Sequence, residues 1–471
     1  MRDLAGARRR LVVLAMVVAS VASCDLGQPA PAQAPTPTGT TSNASPSPGK
    51  PTVATWLTYH HDGSRNGYDD SSGTYTNVHR IWTSEKLDGK VYAQPLITPE
   101  GVLIATEANT LYLLNRDSGA VTWKRNMGPP IPNKVFPCGN VDPLGITGTP
   151  VVDPKTGLVY AVASLPSPKP HYILFALNTS TGEVAWQREL APAGFDMKVE
   201  NQRAALAISG QQVFIAFGGR APGDCGQYHG WMMASALDGT GTLSSHPVPT
   251  TRAGGIWAPS GPAIDADGSI FVANGNADGS TKYDHGSSVL HYSAVLEALD
   301  FFAPTNWAQL DKQDLDLGST GPLLLGDDLV FQVGKEGVGY LLDRANLGGI
   351  GGQKFAGKIC APPFGGNATV DDMIFVPCTI AVYAVKVSRT PTLKFTAAWK
   401  GPHVNSGPPI VSGGYVWSIN LTDGHLMGLD PETGTAKFDL VSGPAVTFTS
   451  PAAANGRIFI AATNVVNAFG D

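Results

Sequence analysis

The chain has 471 residues, a formal net charge of −6 and only 15% charged side chains. That balance argues against nucleic acid or an anionic lipid surface as a partner read by charge. The 55 glycines and 37 prolines suit many short strands joined by tight turns, and so an all-β repeat fold.

In chain order, Arg8, Arg9 and Arg10 form a basic start, followed by an apolar stretch over 11–21 that is short for a membrane span. Val21-Ala22-Ser23-Cys24 resembles the lipobox of bacterial lipoproteins. The resemblance implies a signal peptide over 1–23 and a Cys24 that is diacylated and becomes the new N-terminus. The protein would then be exported and anchored to the outer face of the cell membrane. An ordinary secretory signal cleaved nearby is the alternative. Residues 24–52 are rich in Pro, Ala, Ser and Thr without apolar periodicity, which predicts a semi-extended tether. Residues 53–471 carry the folded domain.

The stretch 95–123 defines the unit of that domain. It reads as an apolar run, a turn at Glu100-Gly101, runs from Val102 and from Leu111, the turn Asp117-Ser118-Gly119, and an edge run reaching Trp123. This is a four-stranded antiparallel meander. One such sheet cannot bury both faces, so copies must stack. Equivalent strand starts follow at Pro150, Ala205, Pro262, Pro322, Ala368, Pro409 and Pro451. The turn before the fourth strand repeats as Thr181-Gly182 then Trp186, Thr240-Gly241, and Thr433-Gly434 then Phe438. Eight copies predict an eight-bladed β-propeller. The eighth lacks a fourth strand, and the segment 79–87, with Trp82 at the aromatic position, is expected to supply it and close the ring. Insertions at 218–231, 274–289 and 302–317 would gather on one face.

Besides Cys24 the chain has Cys138, Cys225, Cys360 and Cys378. An even number in an exported chain suggests two disulfides. Of three connectivities, Cys138–Cys225 with Cys360–Cys378 is the one expected here.

Taken as an ordered set, these motifs resemble the quinoprotein alcohol dehydrogenase-like propellers of the pyrroloquinoline quinone (PQQ) superfamily. Thr76-Asn77-Val78 up to Trp82, then Ala93-Gln94-Pro95-Leu96-Ile97, is similar to the family's first blade. Lys335-Glu336-Gly337 with Tyr340-Leu341-Leu342-Asp343-Arg344 is similar to its KNG…YVLDR motif. The resemblance implies roles residue by residue. Trp257, in Gly254-Gly255-Ile256-Trp257, would be the floor under the quinone. Asn276, in Asn274-Gly275-Asn276, would ligate Ca²⁺. Asp284, in Tyr283-Asp284-His285, would be the catalytic base, and Lys335 would contact the quinone oxygens. Each also has a plainer reading: blade packing for Trp257, turn formation for the asparagines, a solvated loop for Asp284 and an exposed hairpin for Lys335.

The chain departs from the family twice. Where the family has a vicinal Cys-Cys cap, this chain has Pro137-Cys138-Gly139. Where the family has a calcium-binding Glu, it has Asp224-Cys225-Gly226, and Asp224 would serve only if the loop shifts by one position. A Cys138–Cys225 bridge would then cross the former cofactor pocket. No C-x-x-C-H haem motif, nucleophile elbow or P-loop is present. His60-His61-Asp62 lacks a third metal ligand at fixed spacing and is expected to pack, as is the aromatic cluster Tyr228-His229-Gly230-Trp231.

Two functions follow. The preferred one is a lipid-anchored binding or scaffolding propeller with a degenerate quinoprotein site, needing no cofactor. It would be attached to the membrane through its lipid and would hold an envelope protein or a small-molecule or sugar ligand, and no nucleic acid. The alternative is a dehydrogenase that uses PQQ and Ca²⁺ to oxidise an alcohol or sugar.

Overall fold

Eight sheets, antiparallel except for short parallel edge pairings in blades four and seven, are arranged as the blades of a ring in the computed structural model, which describes residues 53–222, 224–279 and 281–471. The expected signal peptide, Cys24 and the tether lie outside the described residues. Blade one comprises Leu96–Ile97, Val102–Ala105, Thr110–Leu114 and Val121–Asn126. Its two middle strands are buried along their whole length, while the outer strand is mostly exposed. Continuous apolar runs such as Val102 to Ala105 therefore reflect strands covered on both faces by neighbouring blades.

Blade eight is completed as the sequence predicts. His79–Thr83 pairs antiparallel with Val465–Gly470, His79 opposite Gly470. That pairing fills the edge which the eighth copy would otherwise leave open.

Four junctions between blades share one device. Trp82, Trp123, Trp186 and Trp399, each on an outer strand, lie over a turn glycine of the next blade. These seats are Gly119, Gly182, Gly239 and Gly434, where an added Cβ would fall 2.5 to 2.7 Å from the indole. All four glycines have positive φ, so space and backbone both demand glycine. Each indole N–H donates to a carbonyl of the same turn: Trp82 to Arg116, Trp123 to Thr179, Trp186 to Leu237 and Trp399 to Pro431, at 2.8 to 3.0 Å. In blade three the sequence pointed to Thr240-Gly241, but Gly239 is the seat and Gly241 faces open space.

The segment from Trp56 to Ser72 closes one end of the ring axis by touching every blade. Trp56 exchanges two backbone bonds with Ile97 of blade one. The carbonyls of Leu57, Gly63, Ser64, Asn66 and Gly67 accept from Val152, Ile264, Leu324, Thr369 and Val411, on the inner strands of blades two, four, five, six and seven. The Arg65 guanidinium donates to Leu206 O at the start of blade three, and Ser71 Oγ accepts from Asn455 N of blade eight. Trp56, Tyr59, His60 and Arg65 are buried. His60 packs, as expected, and ligates nothing: Nδ1 bonds Asn367 O at 2.9 Å and Nε2 bonds Ser450 Oγ at 3.2 Å. Burial lowers its pKa to about 3, so the ring is neutral.

Both disulfides have the expected pairing. Cys360–Cys378 joins the end of blade five to the second strand of blade six. Cys138–Cys225 joins the loop between blades one and two to the insertion of blade three, with Cα atoms 6.2 Å apart.

Candidate functional site

The repeat itself places a ring of residues around the axis. Inner strands begin at Leu96, Ala207, Ala368 and Ala452 in blades one, three, six and eight. Four residues before those starts stand Tyr92, Arg203, Phe364 and Phe448. The other blades have Thr147, Pro259, Ser319 and Ser406 there. Contacts between non-adjacent blades locate these side chains on the axis. Phe364 and Phe448 have ring centroids 5.6 Å apart, and Trp257 of the loop leading into blade four lies 6.2 Å and 6.4 Å from them. The Arg203 guanidinium crosses from blade three to lie 4.5 Å from the Phe448 centroid. Two residues further along the same loops, Gln94 and Ser450 already bond the plug segment. The aromatic triangle is thus the mouth of a shaft that is closed behind it.

Lys335 borders this mouth. Its ammonium is 5.8 Å from the Trp257 ring centroid and pairs with Asp316 Oδ2 at 2.7 Å and Asp314 Oδ1 at 3.1 Å. Burial works against its charge, but the two carboxylates outweigh it and raise the pKa. Asp316 is buried, which raises its own pKa against the pull of Lys335. Its second oxygen accepts the backbone N–H of Asn276 at 2.7 Å. Gly275 permits that approach, since a Cβ there would meet Asp316 Oδ1 at 2.5 Å.

The other proposed residues distribute around this pair. Asp224 feels Asp316, Asp314, Tyr228 and Lys335, and burial raises its pKa first of all. Asn274 is a turn former, with Nδ2 donating to His285 O and Oδ1 accepting from Ser288 N. Asp284 is held elsewhere: Oδ2 accepts from Thr251 N at 2.8 Å, and Oδ1 is buried without a partner. Trp257, Lys335, Asn276 and Asp224 therefore surround Asp316, a residue the sequence reading passed over along with Asp314, Arg203, Phe364 and Phe448.

A calcium ion takes six to eight oxygens. Asp316 gives one oxygen to Lys335 and the other to Asn276 N, and the ammonium already supplies positive charge there. No group of three or more His, Cys, Asp or Glu side chains able to hold a metal occurs among the described residues. The arrangement does not fit a calcium cage. The vicinal cap has no counterpart either, because Cys138 is spent on Cys225 in another loop.

The family whose description is outer membrane protein assembly factor BamB matches residues 76–346, more than half of the chain. The chain belongs to this PQQ-like propeller family. Among solved structures, a quinohemoprotein alcohol dehydrogenase from Pseudomonas putida is similar at 14% identity and a TM-score of 0.69, over 88% of this chain and 80% of that one. A europium-containing methanol dehydrogenase is similar at 12% identity and a TM-score of 0.67, over 88% and 98%. BamB from Moraxella catarrhalis is similar at 15% identity and a TM-score of 0.56, over 84% and 98%. At these identities the likeness establishes the PQQ-like propeller as a fold and nothing finer. No curated protein matches the sequence.

Proposed function

We propose that this PQQ-like propeller is a lipid-anchored, extracytoplasmic binding and scaffolding module whose quinoprotein site is degenerate. The observation that carries the reading is the Lys335–Asp316 ion pair at 2.7 Å, which occupies the acidic group that a divalent ion would need. A divalent ion could use that carboxylate only by displacing the Lys335 ammonium from it. The family's own description as an assembly factor supports a role in holding an envelope protein. The lipobox-like Cys24 supports attachment to a membrane.

The second reading, a PQQ- and calcium-dependent dehydrogenase, is favoured by Trp257, Asn276 and Lys335 standing together at one mouth and by the dehydrogenases among the similar structures. Titration of the domain 53–471 with PQQ and Ca²⁺ or Eu³⁺ separates the two. We expect no metal-dependent thermal shift and no dye reduction with alcohols or sugars. Metal-dependent turnover that is lost in Asp284→Asn or Asp316→Asn would establish the dehydrogenase instead. For the anchor, Cys24→Ala is expected to move the protein from the membrane to the soluble fraction.

A further inference from the structure

We infer that the plugged face of the ring carries a docking groove between blades two and three, which takes an extended segment of a partner polypeptide through a backbone bridge to Ile208. The inference rests on the scaffold reading and deepens it, since it names a surface and the chemistry of the partner.

The groove follows from a gap in the plug. Val152, Ile264, Leu324, Thr369 and Val411 hold one place on the inner strands of blades two, four, five, six and seven, and each gives its backbone N–H to a plug carbonyl. In blade three that place is held by Ile208, opposite Val213. Ser209 and Gln212 close the two-residue turn Gly210-Gln211 and so form the hydrogen-bonded pair. Ile208 therefore sits in the non-bonded pair, with its N–H and C=O turned away from the ladder. Leu206, two residues earlier, has both such groups occupied: its N–H donates to Thr149 O at 2.9 Å, and its C=O accepts from Arg65 at 3.2 Å. Ile208 has no such partner among the described residues, because the plug passes from Leu57 at blade two to Gly63 at blade four without a backbone bond to blade three. In blade eight the equivalent Ala453 is buried, and Ser71 and Ser72 bond the hairpin beyond it.

A cavity of about 470 Å³ lies over the open edge. Leu57, Ile208 and Ile264 line it with half-exposed apolar side chains, above the buried Val152 and Leu237. An unpaired strand edge beside an apolar cavity suits an extended chain: its backbone takes both groups of Ile208, and its alternate side chains enter the cavity. Blade one shows the same bridge already filled, where Trp56 exchanges two bonds with Ile97 at 2.8 and 2.9 Å. Charge narrows the partner. The Asp62 carboxylate is taken up by Ser64 and Asn66, and that of Asp153 by Lys155 N and Thr156. The Lys155 ammonium stands exposed on the rim with no ion pair among the described residues. The partner segment therefore carries an acidic side chain beside its apolar bridging residue.

The test uses a capped hexapeptide of alternating valine and threonine with one glutamate, and an analogue N-methylated at its central valine. Binding to the full-length protein in detergent is read by calorimetry, and amide exchange by NMR with isotope-labelled isoleucine. In the free protein the Ile208 amide should exchange faster than that of Ile264, and the peptide should slow it. The N-methylated analogue should bind about tenfold more weakly, the loss of one backbone bond. Ile208→Pro removes only an N–H that points away from the ladder, and should weaken the parent peptide by a similar factor. Slow exchange of Ile208 in the free protein, equal binding of the two peptides, or no binding would overturn the inference without needing a variant to fold. Slow exchange in the full chain that is lost in 53–471 would assign the groove to the chain's own N-terminal segment and overturn the partner. Either outcome leaves the scaffold reading standing if PQQ with metal is also inert, whereas metal-dependent turnover sinks that reading whatever the peptide does.

Discussion

Four blade junctions carry a tryptophan seated on a glycine of the next blade, and three of them run consecutively from blade eight through blades one and two to blade three. The junctions from blade three to blade six lack that device. There His246 meets Tyr292, Phe302 meets Tyr340 and Phe355 meets Phe395, in varied geometries. This unlatched sector holds Asp224, Trp257, Asn276, Asp316 and Lys335, and it also holds the insertions. In one half of the ring a repeated contact at the rim fixes blade spacing. In the other half each junction is solved separately, which leaves the loops over it free to change chemistry. The candidate site residues gather where the repeat is least regular.

The sharpest way to break this contrast is Trp123→Ala. It removes a large partly buried side chain and an indole hydrogen bond, and should cost about 3–5 kcal/mol by denaturant unfolding. Trp123→Phe should cost about 1 kcal/mol, the share of the bond alone. A near-neutral Trp123→Ala would mean that the seats are incidental to stability.

Cys360→Ala with Cys378→Ala tests whether a covalent link replaces the missing latch between blades five and six. The bridge closes a separation of 18 residues, for which about 3 kcal/mol is expected. Amide exchange should quicken around 359–378 and stay unchanged at the latched junctions. A uniform quickening would show that the sectors are not independent.

The smallest contrast is in pH. Burial raises Glu107 to about 7 and Glu200 to about 8, both above the usual carboxyl value of 4.5. The folded protein therefore keeps protons that the unfolded chain releases. Stability is full below about pH 4.5 and declines as pH rises through 7 and 8, by roughly 1 kcal/mol per pH unit for each group. Glu107→Gln should flatten the part between pH 4.5 and 7 in a series of thermal midpoints. An unchanged slope would place the titration elsewhere.

The ring was legible because its signals are local and repeated. Strand starts, glycine turns and outer-strand tryptophans recur with the blade, and each has a packing cause. The borrowed strand at Trp82 was legible for the same reason. The site was legible only where a motif names it. Trp257 and Lys335 lie 5.8 Å apart, but Asp316 was missed because Asp314-Leu315-Asp316 sits in a loop without periodicity. Its pairing with Lys335 depends on how that loop folds back after Trp307–Lys312. Arg203 could have been found by aligning the chain with itself. It is the charged residue at a position where the other blades place Tyr, Thr, Pro, Ser or Phe.

The strand that completes blade eight joins residues from the two extremes of the ring: Thr83 Oγ1 donates to Asn467 Oδ1 across 384 positions. A contact so distant in sequence cannot form during synthesis until nearly all of the propeller has left the ribosome. Until then the 79–83 strand lacks its partner and the hub is open, so the chain is vulnerable to aggregation for most of its production. Clipping the final strand, 465–470, should therefore leave a chain that collects as open arcs rather than a slightly weakened ring.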